Sequence, residues 1–173
     1  MAAPNIAYSV QPAERTRFAD ASFDAVCVAQ ALHWFDVERF YAEVKRVLRP
    51  QGVILVTGYG WSSVSRDFDR ALRRVVIEEV KSLWPPQNAL LVNGYRDLPF
   101  PFEPVEFPKA AIEVEWTFDQ TIDYVGTWSA TRRKLEADPG FLDRARGALR
   151  EAWGSEATRT VTMPLVVLCG RHA

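Results

Sequence analysis

A strand–helix–strand pattern in the first third of the chain most constrains the fold. Phe23–Ala29 is a nearly continuous apolar run, which is typical of a parallel strand covered by helices on both faces. Apolar residues at helical spacing predict a helix over Val37–Leu48, with Asp36 as its N-cap. Val53–Thr57 is the following strand. A pattern of this size is a βαβ unit with a right-handed crossover, so the fold class is α/β.

The rest of the chain alternates less regularly. Pro50 is predicted to end the first helix because proline cannot continue it, and Gly52 is a residue that tolerates positive φ. Residues 85–109 are rich in proline and aromatics and predict an irregular connection. The further predicted elements are strands at Ile6–Val10, Ala111–Phe118 and Thr160–Cys169, and helices at Ser65–Leu83, Asp119–Ala130 and Gly140–Trp153.

Length and composition limit the class of protein. A chain of 173 residues with 48% hydrophobic and 25% charged residues suits one globular domain. We expect a core at residues 1–60, cap and helical connections at 61–110 and 119–155, and last strands at 111–118 and 160–170. A net charge of -1 offers no basic surplus for nucleic acid, and no apolar run suits a membrane span. We therefore expect a cytoplasmic protein.

The two cysteines are separated in sequence, and each lies in an apolar run. Cys27 and Cys169 are therefore predicted to be buried free thiols. Two cysteines alone make neither a metal site nor a disulfide framework, so no metal site is expected.

Open α/β sheets bind ligands at the carboxyl ends of their strands, which directs attention to Ala13-Glu14, Gln30–Phe35 and Gly58–Trp61. These loops lie in the block AERTRFADASFDAVCVAQALHWFD and the following FYAEVKRVLRPQGVILVTGY. The block resembles the second half of class I S-adenosylmethionine-dependent methyltransferases of the methyltransferase type 11 family. The closest resemblance is to the branch of trans-aconitate methyltransferase, which carries His-Trp-Phe after the fourth strand.

The resemblance implies a fold and a cofactor. The fold is part of a Rossmann-like, doubly wound methyltransferase sheet, mostly parallel with one antiparallel strand. The cofactor is S-adenosylmethionine, with Ala13 and Glu14 beside its adenine. The other implied cofactor contacts follow the fourth strand and are Ala29, Gln30, Ala31 and Trp34. Glu14 as a solvated loop charge, and Trp34 with Phe35 as packing at the start of the helix, stay open as alternatives.

The same resemblance assigns a catalytic candidate. Methyl transfer needs alignment of nucleophile, methyl group and sulfur more than acid–base groups. A carboxylate acceptor would need no base, whereas a hydroxyl or amine would need one, and His33 is the local candidate. The alternative for His33 is a packed imidazole with its hydrogen bonds satisfied.

Candidate contacts to a small-molecule substrate lie after the first half. They are Tyr59, Trp128 and Arg132. Arginine pairs with carboxylates in bidentate geometry, so Arg132 suits a carboxylate substrate. The alternative is a helix with a solvated basic face.

The sequence departs from the family in the part that, by the resemblance, holds the amino acid end and the ribose hydroxyls of the cofactor. No Gly-x-Gly occurs before residue 58, and two βα units of the family, roughly 60 residues, find no counterpart before Ile6. We therefore expect weak or no cofactor binding by this chain alone. A catalytically silent remnant acting as a dimerisation or interaction module is the alternative function. A nicotinamide-dependent reductase is disfavoured because it needs a Gly-rich first turn.

The same departure predicts an exposed sheet edge. Without the family's first strand, residues 23–29 form an edge strand that carries no proline or lysine to protect it. We expect a homodimer through this edge or through exchange of strand Ile6–Val10.

Overall fold

A parallel strand–helix–strand unit forms the beginning of the fold, which confirms the predicted α/β class. The computed structural model describes residues 3–173 and places strand β1 at Phe23–Ala29, helix α1 at Val37–Val47 and strand β2 at Leu48–Tyr59. A short 3₁₀ helix at Leu32–Trp34 precedes α1. β1 and β2 pair in parallel along most of the length of β1.

The sequence around α1 sets where the helix begins. The Asp36 carboxylate accepts a hydrogen bond from the Arg39 N–H at 3.2 Å, so the predicted N-cap is confirmed. Phe35, just before the cap, packs against Phe40 with ring centroids 4.8 Å apart. This contact is a hydrophobic staple, which fixes the direction in which the chain enters the helix.

Gly52 is required for space and not for positive φ, so that prediction was wrong. The residue with positive φ is Gln51, at 67°. A Cβ on Gly52 would lie 2.9 Å from the Arg49 carbonyl oxygen and 3.2 Å from that of Asp24. Two backbone segments therefore approach each other closely over this glycine.

The chain forms two compact units. The first comprises the described residues up to 58 together with 94–108 and 166–173, and the second comprises 59–93 and 109–165.

The sheet of the first unit runs in the order β1-β2-β5-β3, with β3 at Glu103–Pro104 and β5 at Thr158–Arg171. β3 is antiparallel to the end of β5. In the second unit, strand β4 at Ala111–Thr117 is antiparallel to the beginning of β5. The α/β class is confirmed, but the expectation of a mostly parallel sheet with one antiparallel strand is not exact, because β3 and β4 both run antiparallel to β5.

Helices dominate the second unit. The helix predicted over Ser65–Leu83 is confirmed as one helical run with a π turn inside it. The helix predicted over Asp119–Ala130 is divided at Trp128, whose backbone is not helical. The predicted irregular connection contains one short helix and β3. The helical elements are α2 (Arg66–Leu72), the π turn (Arg73–Ile77), α3 (Glu78–Val80), a 3₁₀ turn (Lys81–Leu83), α4 (Asn88–Val92), α5 (Phe118–Thr127), α6 (Ser129–Ala137) and α7 (Phe141–Trp153).

Large aromatic side chains form the core of the second unit. Trp153 is completely buried and meets Phe68 and Phe118 edge-on, at centroid distances of 5.4 and 5.8 Å. Its indole N–H donates to the Glu156 carbonyl at 2.9 Å, so the burial leaves no polar atom of Trp153 unpaired. Each such side chain contributes about 1.5–3 kcal/mol by leaving water.

Three predictions about the first unit were wrong. Ile6–Val10 is not a strand, because within residues 3–173 it pairs with none of the strands, and Ile6, Tyr8 and Val10 are exposed. β1 is buried on one face only, with Ala25, Cys27 and Ala29 exposed. Cys27 is therefore exposed, and Cys169 is half-buried rather than buried; both are free thiols.

Candidate functional site

The chain turns sharply where β1 ends. Gln30 has φ of 54°, and its N–H donates to the Thr57 carbonyl of β2 at 2.9 Å. The turn directs the chain away from the sheet and into the 3₁₀ helix. The predicted site residues after β1 thus lie at the carboxyl end of a parallel strand, where α/β sheets bind ligands.

A largely apolar groove of about 420 Å³ lies beside β1 and α1. Three of the predicted cofactor residues line it, namely Ala13, Ala29 and Ala31. Their small side chains leave room for a flat, weakly polar group. Glu14, Gln30 and Trp34 are not among the residues that line this groove.

Glu14 is tied to the beginning of α1. Its Oε1 accepts a hydrogen bond from the backbone N–H of Asp36 at 3.1 Å. The carboxylate therefore lies near the positive end of the helix, where a negative charge is stabilised. This contact gives Glu14 a structural partner, so it is not simply a solvated loop charge.

His33 is buried, with 5% of its surface exposed. Its Nδ1 lies 2.9 Å from the hydroxyl oxygen of Tyr95. Burial lowers the pKa of His33 below its usual 6.5, so the neutral imidazole is favoured near pH 7. The described contacts match the alternative of a packed, satisfied histidine, and they leave its predicted catalytic role open.

Trp34 differs from its neighbours because 52% of it is exposed. Its ring lies against His33 with centroids 4.9 Å apart. Packing at the start of α1 is therefore the role of Phe35 rather than of Trp34. A half-exposed tryptophan on a buried histidine offers an aromatic surface to a ligand.

Sequence reasoning missed Tyr95. The residue lies in the connection predicted to be irregular, 62 positions after His33, and is 1% exposed. Both Gly94 and Tyr95 have positive φ, 68° and 58°. The Asn-Gly dipeptide at 93–94 signals a turn, but no spacing rule could have connected that turn to His33.

The second unit contains two predicted substrate residues in one aromatic cluster. The Tyr124 ring lies against Trp128 with centroids 6.0 Å apart, and burial together with the nearby Tyr59 raises the pKa of Tyr124 to about 12. The Trp128 ring also lies 5.7 Å from Trp61 and 6.0 Å from Trp84, between centroids. Trp61 is 39% exposed, so this cluster has an accessible aromatic edge.

The predicted substrate residue Arg132 is exposed on α6. The neighbouring Arg133 instead donates to the Leu83 carbonyl at 2.8 Å, and Lys134 pairs with Glu79. Two of the three consecutive basic side chains of α6 thus contact protein groups.

Two further properties concern metals and membranes. Among residues 3–173, no group of three or more histidine, cysteine, aspartate or glutamate side chains is placed to hold a metal ion. Over the same residues, none of the helices is long and apolar enough to cross a bilayer.

Comparison with known proteins gives consistent matches. A family described as a methyltransferase domain matches residues 2–56. A Dictyostelium discoideum protein described as a methyltransferase is 27% identical over 136 residues, covering 77% of this chain and 52% of its own length. An uncharacterized methyltransferase of Mycobacterium tuberculosis H37Rv is 32% identical over 164 residues, covering 92% of this chain and 62% of its own length. The chain thus spans between half and two thirds of the length of these curated relatives.

One solved structure is similar over nearly the whole chain. It is described as a type II methyltransferase from Anaeromyxobacter dehalogenans, is 41% identical, and superposes with a TM-score of 0.86. The match covers 99% of this chain and 74% of that one. This structure is similar over both units of the chain, and the family match covers the βαβ unit. The chain therefore belongs to the class I S-adenosylmethionine-dependent methyltransferases.

Proposed function

We propose that this chain takes part in S-adenosylmethionine-dependent methyl transfer to a small-molecule carboxylate. The observation that carries the proposal is the apolar groove along β1 and α1, which reaches the carboxyl end of β1 at Ala29 and Ala31. That end of a parallel strand is where α/β sheets bind ligands, and Ala13, Ala29 and Ala31 are among the cofactor residues that family membership implies.

Part of the predicted set fits the adenine side of the cofactor. The side chains of Ala13, Ala29 and Ala31 are small and apolar and line the groove, which suits a base. Glu14, Gln30 and Trp34 do not line it; we propose that Glu14, held at the beginning of α1, lies beside the base and that Gln30 and Trp34 lie toward the methionine part. S-adenosylmethionine, when bound, supplies a methyl group already activated on a sulfonium. The contribution of this chain is to orient that group and exclude water around it.

We propose Tyr59, Trp128 and Arg132 of the second unit as contacts to the acceptor. The aromatic cluster around Trp128 offers an apolar surface, and the exposed Arg132 guanidinium offers a bidentate partner for a carboxylate. A carboxylate acceptor is nucleophilic without deprotonation. This matches a first unit in which His33 is buried and already bonded to Tyr95.

The cofactor assignment is tested on the purified chain by saturation-transfer NMR with millimolar S-adenosylhomocysteine. We expect saturation of the adenine protons and a dissociation constant above the low micromolar range, because the chain has no Gly-x-Gly before residue 58 to hold the amino acid end. Ala29→Trp fills the groove from an exposed position and should abolish the signal. Ala137→Trp, exposed at the end of α6, should not.

Two outcomes contradict the proposal. One is a signal that Ala29→Trp and Ala137→Trp affect equally, because the groove would then not be the site. The other is the complete absence of saturation transfer at millimolar ligand. A low micromolar constant would instead overturn only the expectation of weak binding.

The exposed face of β1 favours a second candidate function, a catalytically silent interaction module. β1 lies at the end of the strand order β1-β2-β5-β3, and four of its seven residues are exposed. An edge strand of this kind presents free backbone groups that another strand can pair with. Stable self-association without any cofactor signal would favour this alternative over methyl transfer.

A further inference from the structure

The pair of His33 and Tyr95 is a buried polar contact between distant parts of the first unit. The Nδ1 atom of His33 and the hydroxyl oxygen of Tyr95 are 2.9 Å apart, and the rings are nearly parallel, with an angle of 23° between them. The residues are 5% and 1% exposed. Buried polar groups of this kind must satisfy each other, since water does not reach them.

The backbone at Tyr95 indicates that this contact is enforced. Tyr95 has φ of 58°, directly after Gly94 at 68°. A bulky residue rarely adopts the left-handed region, and it stays there only when the surrounding structure holds it. The Tyr95 hydroxyl therefore reaches His33 from a residue whose left-handed backbone conformation is unfavourable.

The direction of the hydrogen bond follows from the burial of the hydroxyl. The Tyr95 hydroxyl proton needs an acceptor away from water, and His33 Nδ1 lies within hydrogen-bond distance of it. Burial raises the pKa of Tyr95 to about 12, so the hydroxyl keeps that proton. Burial also lowers the pKa of His33, so the imidazole is neutral and one ring nitrogen is an acceptor. Tyr41 of α1 interacts electrostatically with Tyr95, and it stays protonated as well, because burial raises its pKa to about 12.

We propose that the Tyr95 hydroxyl donates to Nδ1 and so holds His33 in the tautomer whose proton is on Nε2. Tyr95 is then a positioning residue, and His33 presents a hydrogen-bond donor instead of a base. The tautomer is a property of the folded chain, and only its role at the site rests on the proposed function. A hydroxyl or amine methyl acceptor would have to lose its proton to a group other than His33. A carboxylate methyl acceptor needs no base and could accept a hydrogen bond from His33 Nε2.

The chain is well suited to a direct test, because it has two histidines, His33 and His172. The full chain is labelled with ¹⁵N in the imidazole rings, and long-range ¹H–¹⁵N correlation distinguishes protonated from unprotonated ring nitrogens. At pH 7.5 we expect His33 to show an unprotonated Nδ1 and a protonated Nε2. His172, whose side chain is half-exposed, serves as the internal reference.

Two variants complete the test. In Tyr95→Phe the Nδ1 resonance should shift toward the value of a mixed tautomer population, and the His33 pKa should rise, because the neutral form loses its donor. Tyr41→Phe is the matched control, since the buried Tyr41 hydroxyl has no hydrogen-bond partner within residues 3–173. It should leave the His33 spectrum unchanged.

A proton on Nδ1 in the wild-type chain would overturn the proposal, and this measurement does not depend on any variant folding. An unchanged His33 spectrum in a folded Tyr95→Phe would overturn it as well. Neither result depends on cofactor binding, so a failure of methyl transfer would leave the tautomer assignment intact.

Discussion

At the scale of single residues, the carboxylate of Glu43 in α1 accepts four hydrogen bonds. Its Oε1 accepts from the N–H and hydroxyl of Thr16 at 2.7 and 2.6 Å and from Arg46 Nη2 at 2.7 Å. Its Oε2 accepts from Arg46 Nε at 2.9 Å. These bonds, with Arg46 foremost, lower the pKa of Glu43 from 4.5 to about 2.

This shift predicts an acid-labile contribution to stability. Because the folded-state pKa lies below the unfolded-state value, the contribution is complete above pH 4.5 and is lost as the pH falls toward 2. Glu43→Gln should unfold more easily at pH 7 by about 1–3 kcal/mol. Its free energy of unfolding should also depend less on pH between 4.5 and 2, as measured by urea denaturation at several pH values. Glu38→Gln, exposed on the same helix, is the control, and an equal pH dependence in Glu43→Gln and wild type would contradict the assignment.

Trp34 carries a second prediction at this scale. Since 52% of the side chain is exposed, Trp34→Ala should lower the free energy of unfolding by less than about 1 kcal/mol. If Trp34 lines the site, the rate of methyl transfer, measured on a preparation of the protein that has this activity, should fall at least about tenfold. A tenfold loss is equivalent to about 1.4 kcal/mol of transition-state stabilisation. Phe107→Ala, an exposed aromatic of the same unit, is the control. A lower melting temperature with unchanged specific activity would show that Trp34 only packs.

At the scale of elements, α5 begins with a reciprocal cap. The Thr117 hydroxyl accepts from the Gln120 N–H, and the Gln120 side chain accepts from the Thr117 N–H at 2.9 Å. This capping box joins the end of β4 to the beginning of α5 without an intervening loop. The strand direction therefore sets the helix direction.

Thr117→Ala removes the hydroxyl acceptor and should destabilise the chain by about 1 kcal/mol. The measurement is the urea midpoint at pH 7. Thr127→Ala removes a hydroxyl from the other end of the same helix, where it donates to the Tyr124 carbonyl, and should have a smaller effect. Equal losses in both variants would show that the cap has no special role.

Elements whose pattern is local were predictable. The position of α1, its Asp36 cap and the alternation of β4 all follow from neighbouring residues. The sequence could not show that Ile6–Val10 lacks a strand partner, because pairing depends on residues far away in the chain. For the same reason a run of apolar residues shows that β1 suits burial on both faces, but not whether anything covers them.

The candidate site was predictable to a similar extent. Ala13, Ala29 and Ala31 do line one groove, whereas the contact of His33 with Tyr95 depends on a left-handed turn 62 residues later. No periodicity connects the two.

At the scale of the whole molecule, the open edge of β1 remains our basis for proposing a homodimer, by β1 pairing or by exchange of residues 6–10. Cys27 is exposed near the middle of that strand. Sedimentation equilibrium at low micromolar concentration should therefore give the mass of two chains. Cys27→Lys places a charge on the edge and should give a monomer, whereas Cys169→Ser should not. A wild-type monomer would contradict the proposal.

The placement of the tryptophans gives each unit its own optical signal. Of the six tryptophans, Trp34 is the one in the first unit, and it is half-exposed. The second unit holds the other five, with Trp61, Trp84 and Trp128 at centroid distances of 6.0 Å or less. Rings this close couple their electronic transitions, so near-ultraviolet circular dichroism reports on the second unit. Trp34, which is 52% exposed against 39% for Trp61, adds an emission signal from the first unit in the same unlabelled sample.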